Sequence, residues 1–142
     1  AHLFDSPEEW DGTIGGYGKR LRTQAAMATT RGLITSGSAA ALGHDPRYQR
    51  CDCAGTWRRT GHALSGLILA ADAQGARRFD PTPLFAAYGG AYAGASLYPD
   101  RYSRAVKGYQ LGTRQLAFSF GQNLFLEFTP EIKALTRKLL RR

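Results

Sequence analysis

The chain lacks most of the features by which a sequence announces its chemistry. It has 142 residues but only two cysteines, which excludes a disulfide-dense miniprotein. No run of about 20 predominantly apolar residues occurs, so no segment reads as a good single membrane span. No Gly-x-Ser-x-Gly elbow frames Ser36 or Ser65, and a Cys-x-x-Cys-His haem attachment site is missing. The glycine-rich segment 12–20 lacks both the Gly-x4-Gly-Lys-Ser/Thr pattern and a buried strand before it, so it is not a phosphate loop, although N–H groups ahead of a helix there suit an anion. No acid and base stand at a spacing that suggests paired catalysis, and the expectation is a chain that is not an enzyme.

Small residues are what the chain has in quantity. Gly (17) and Ala (21) occupy 38 of 142 positions, which favours close approach of backbones. The glycines follow no three-residue period, excluding collagen, and 43% apolar with 11% aromatic residues excludes wholesale disorder. The length suits one domain spanning 1–142, with an N-terminal arm over 1–16 and a basic helix over 129–142.

The expected fold is mainly α: a bundle of about four Gly/Ala-rich helices with room for one short β-hairpin. Ser6-Pro7-Glu8-Glu9 has capping-box spacing and predicts a helical turn carrying Trp10, closed by Asp11-Gly12. Nothing breaks a helix over 17–42, and His44-Asp45-Pro46 stops it. On it, Ala25, Thr29, Gly32, Ser36, Ala40 and Gly43 recur at three- and four-residue steps, a stripe suited to close packing in a bundle or to an oligomer or membrane contact. Thr56 caps a second helix over 57–69. Segments 67–72 and 76–80 flank Ala73-Gln74-Gly75, which reads as a hairpin or as a frayed helix end followed by a loop. The stretch 81–99 carries no formal charge and reads as a tightly packed core helix, or second as an interfacial or protein-shielded segment within a membrane, with Ala86, Gly90 and Gly94 as a second small stripe. Ser103 caps a further helix to about 128, although Leu116, Phe118, Phe120, Leu124, Leu126 and Phe128 also alternate like a strand. Thr129 and Pro130 then suit the start of a separate helix over 130–142.

The positive charge is scattered over several short groups and fits no nucleic-acid-binding module, which argues against nucleic acid and for an anionic envelope surface. Lys133, Arg137, Lys138, Arg141 and Arg142 crowd the last helix beside Ile132, Leu135, Leu139 and Leu140, a pattern suited to anionic headgroups or to a solvated face. Cys51-Asp52-Cys53 leaves three readings open: a disulfide within or between chains, unlinked structural thiols, or metal ligands joined by His44 and His62. The spacing matches no standard zinc pattern, and no cofactor is predicted. His62 alone reads as a packed or partly exposed histidine.

Six segments together carry a resemblance: Ser6-Pro7-Glu8-Glu9-Trp10, Gly16-Tyr17-Gly18-Lys19-Arg20, His44-Asp45-Pro46-Arg47-Tyr48, Arg59-Thr60-Gly61-His62-Ala63-Leu64, Tyr98-Pro99-Asp100-Arg101-Tyr102 and Glu127-Phe128-Thr129-Pro130-Glu131-Ile132-Lys133. In this series the chain resembles a family of small exported bacterial proteins with no established activity. The resemblance implies a periplasmic, outer-envelope or extracellular location, with either processing or further residues ahead of Ala1, and it carries over no catalytic residue. The resulting expectation is a non-catalytic structural or accessory subunit of an envelope or extracellular assembly, in contact with its own copies or other subunits. Its interface candidates are the aromatics Trp10, Tyr17, Trp57, Tyr88, Tyr92, Tyr98 and Tyr102 and the small residues Gly32, Gly90 and Gly94. The alternative is an envelope module that binds a lipid, pigment or metal between helices.

Overall fold

The computed structural model describes residues 10, 12–72 and 74–140. The expected capping box at 6–9, together with Asp11, Ala73, Arg141 and Arg142, lies outside the described residues. Among the described residues the fold is mainly helical, as expected: four helices and a small antiparallel sheet in the order α1 (Ile14–Leu42), β1 (His44–Asp45), α2 (Thr56–Ser65), β2 (Leu69–Asp72), β3 (Arg77–Phe79), α3 (Thr82–Ala95) and α4 (Arg104–Leu140). No helix among the described residues is long and apolar enough to cross a membrane.

Helix α1 starts three residues before the expected boundary because the Thr13 hydroxyl accepts from Gly16 N–H at 3.2 Å. Gly15, Gly16 and Gly18 therefore lie inside the helix rather than in a free anion-contacting loop. Gly43, at φ 66°, ends it and gives its N–H to the Ala39 carbonyl. The chain then runs directly into β1, which the sequence did not signal. Two residues carry no alternation of their own, and β1 exists because the edge of β2 is there to pair with, His44 opposite Asp72 and Asp45 opposite Ala71.

The hairpin reading holds. β2 pairs antiparallel with β3, with Leu69 opposite Phe79. The Asp72 carboxylate closes the turn by accepting from Gln74 and Ala76 N–H, and Gly75 supplies the positive φ of 79°. Helix α2 is shorter than expected, stopping at Ser65 rather than near 69. Leu67 and Ile68 leave it because the Asp80 N–H bonds the Ile68 carbonyl and draws that strand into the sheet.

Helix α3 is the core helix, lying between α1 and α4 with Ala86, Ala87, Gly90, Ala91, Gly94 and Ala95 buried. Its predicted small stripe works inside the chain: a Cβ on Gly90 would stand 2.7 Å from the Met27 carbonyl oxygen of α1, and one on Gly94 would strike the Met27 side chain. On its other side the Tyr88 and Tyr92 rings lie over Gly112 and Gly108 of α4. Trp10, 5% exposed, packs on Tyr98 at 5.0 Å between ring centroids, and Tyr98 meets Tyr102 edge-on at 5.9 Å.

Helix α4 runs unbroken for 37 residues, so the separate basic helix expected over 129–142 is not formed. Thr129 is not a cap: its hydroxyl bonds back to the Phe125 carbonyl at 2.7 Å, within the same helix. Pro130 lacks an N–H and leaves only the Leu126 carbonyl without its helical partner, on a side of α4 where both residues are exposed. The alternating pattern at 116–128 is helical.

Candidate functional site: a buried carboxylate under the Cys51–Cys53 loop

Glu127 is 1% exposed and is the largest fully buried side chain among the described residues. A carboxylate is tolerated there only if its oxygens are satisfied, and three residues of the β1–α2 connection and α2 converge to satisfy them. The Tyr48 hydroxyl, in the β1–α2 connection, donates to Oε2 at 2.7 Å. Cys51 N–H reaches Oε1 at 3.1 Å and Oε2 at 3.2 Å. Arg59 of α2 places Nε 3.4 Å from Oε1, bonds the Glu127 carbonyl through Nη2, pairs with Glu131, and stacks over Phe128 at 4.3 Å. Thus the segments around Tyr48, Arg59 and Glu127, far apart in sequence, meet at one point.

His62 completes the cluster. Its Nδ1 is 3.0 Å from the Tyr48 hydroxyl, whose single proton is already given to Glu127. The contact therefore requires Nδ1–H of His62 to donate to the phenol oxygen, which leaves Nε2 as the acceptor of a neutral ring. Burial and the positive charge of Arg77 hold the imidazole below its usual pKa against the pull of Glu127, so the ring is neutral at pH 7. Burial, helped by the carboxylate of Glu127, pushes the Tyr48 phenol well above its usual value and keeps it a donor.

Cys51 and Cys53 are joined in a disulfide, which decides among the three readings of that loop. One Sγ of Cys51, a ring nitrogen of His62 and a Glu127 oxygen lie within 4.8 Å of one another. With the sulfur bonded to Cys53 and the carboxylate filled by Tyr48, Cys51 and Arg59, this grouping is not a metal centre as it stands. His44, the fourth residue of the expected metal set, stands elsewhere, 3.3 Å from Asp80.

Above the cluster opens a cleft of about 480 Å³, with Tyr48, Cys51, His62, Arg77 and Asn123 in its wall. Arg31 crosses it to bond Ser119 at 3.1 Å, and Asn123 is held by its amide on the Ala63 carbonyl at 3.1 Å. Comparison with known protein families, with curated proteins and with solved structures returns no match to this chain. Its reading rests on its own residues.

The other sequence candidates divide. Gly90, Gly94, Tyr88, Trp10, Tyr98 and Tyr102 are used in packing within the chain, whereas Tyr17, Gly32 and Trp57 are exposed, Trp57 at 88%. Lys133, Arg137 and Lys138 are exposed along the end of α4. Glu127, Tyr48 and Arg59 were not singled out from the sequence as a site. The one available signal was a lone acid inside the apolar run Leu124-Phe125-Leu126-Glu127-Phe128.

Proposed function

We propose that this chain is a structural subunit of a bacterial envelope assembly and associates with further copies of itself through the outward faces of α1 and α4. One observation carries the reading: the core is built of Ala and Gly, while large apolar side chains stand outside it. Ile14, Leu21, Leu33, Phe118, Phe125, Leu135 and Leu139 are all more than half exposed.

The exposed residues are ordered. On α4, the exposed Phe118, Gly121, Phe125, Ile132, Leu135 and Leu139, with the half-buried Phe128 under Arg59 between them, recur at alternating steps of three and four, the spacing of a coiled-coil seam. An apolar hollow of about 490 Å³ lies between Phe118 and Phe125 and suits a side chain from a partner helix. Residues 131–140 at the end of α4 are exposed throughout. On α1 the predicted small stripe, with Ala25, Thr29, Gly32 and Ser36, also faces outward beside Ile14 and Leu21. An oxidising compartment, in which the Cys51–Cys53 bond persists, supports the envelope setting.

Replacing Phe125 and Leu135 together by Glu places charge in the seam without touching the core. Sedimentation velocity is expected to show the wild-type assembly reduced to a 15.5 kDa species. An unchanged assembly, or a wild-type chain that is monomeric and binds only anionic vesicles, contradicts the reading. The cleft favours a second reading, a small-ligand-binding module, which native mass spectrometry of the purified chain tests by the presence of a bound adduct.

A further inference from the structure

We propose that Cys51 and Cys53 form a thiol–disulfide exchange site, with His62 as the base beside Cys51 and small external thiols, which reach the part-exposed Cys53, as co-reactants. The inference is independent of the association of α1 and α4. Three features carry it. The bond spans a sequence separation of only two, and so short a loop removes little entropy from the unfolded chain, which leaves the disulfide a weak staple. Cys51 is held in place without it: its N–H sits on both oxygens of the buried Glu127, so the sulfur stays beside His62 when the bond opens. Both cysteines are partly exposed, and Cys51 lines the cleft together with His62. With no third cysteine in the chain, the exchanging thiol comes from outside.

The steps balance. An external thiolate attacks Cys53 Sγ; a Cys53–substrate S–S bond forms, the Cys51–Cys53 bond breaks, and the electron pair leaves on Cys51 Sγ. A second external thiolate attacks the substrate sulfur of the mixed disulfide, releasing the external disulfide and Cys53 thiolate. Two external thiols are oxidised, the two cysteines take up the two electrons and two protons, and His62, with a ring nitrogen within 4.8 Å of Cys51 Sγ, carries the proton to or from that sulfur.

The test uses the whole chain with glutathione as the probe. The oxidised protein is equilibrated in mixtures of reduced and oxidised glutathione, quenched by alkylation and weighed by mass spectrometry. The expected result is a reduced fraction that rises smoothly across the mixtures, with one glutathione trapped on Cys53 in Cys51→Ser. A disulfide that survives excess reduced glutathione in the folded chain is structural and overturns the proposal. In a Cys53→Ser background, His62→Gln is expected to slow alkylation of Cys51 by about tenfold, the effect of one pKa unit on the thiolate fraction, with an unchanged circular dichroism spectrum. An unaltered rate in that folded variant removes His62 from its role. A reduced wild-type chain that takes up one zinc ion and loses its thiol reactivity would make the cluster a metal site and overturn the proposal as well.

Discussion

At the scale of single residues, the organising contact is a carboxylate in the place where a large apolar side chain would be expected. Glu127 joins α4 to α2 through Arg59 and to the loop after β1 through Tyr48 and Cys51. Glu127→Ala takes the acceptor from the Tyr48 phenol and the Cys51 N–H, while Arg59 keeps Glu131 and the Glu127 carbonyl, and the loss is expected to appear as a lowered midpoint in urea. Tyr48→Phe keeps the ring and removes the hydroxyl's bonds to Glu127 and His62, for a loss of about 1.5–3 kcal/mol. Neither partner set was legible in the sequence, because Tyr48 and Glu127 are separated by 79 positions and no periodicity reports on a pairing at that distance. Asp80 gives a pH dependence. Burial raises its carboxyl, but the Thr82 hydroxyl and N–H and the nearby His44 more than offset this and hold it below the usual carboxylate range. A folded value below the unfolded one means that its stabilisation is complete above about pH 4 and is lost as pH falls through the lower folded value. Asp80→Asn is expected to flatten the acid limb of a circular dichroism titration, and an unchanged limb would count against this assignment.

At the scale of elements, the glycines separate by where their faces point. Gly90 faces the Met27 backbone at 2.7 Å, and backbone cannot turn aside, so Gly90→Ala is expected to destabilise by about 1–3 kcal/mol through overpacking. Gly32 has nothing within 4 Å of a Cβ, and Gly32→Ala is expected to stabilise α1 by about 0.5–1 kcal/mol, the helix-propensity difference. Thermal melts of the two variants, measured at low concentration, should move in opposite directions. The existence of α1, of the core helix α3 and of the hairpin was legible because stripes at helical spacing and the Gln74-Gly75 turn are local signals. The break expected at Thr129-Pro130 was not formed, because Pro130 falls on the exposed side of α4 and Thr129 satisfies itself on Phe125. The small stripes could be read but not aimed: both promised close approach, yet one is filled by Met27 of the same chain and the other faces outward.

At the scale of the whole molecule, a thin Gly/Ala core lets three helices pack closely and leaves the long aliphatic and aromatic side chains on the outside. Hydrophobic burial is worth about 25 cal/mol for each Å² removed from water, and α4 holds a regular seam of such surface in reserve. The proposal of a self-associating subunit rests on that surplus, and the absolute mass of the native-source protein in detergent-free buffer tests it most directly. Size-exclusion chromatography with light scattering is predicted to give a defined multiple of 15.5 kDa. A single monodisperse species at 15.5 kDa across the accessible concentration range would contradict the account.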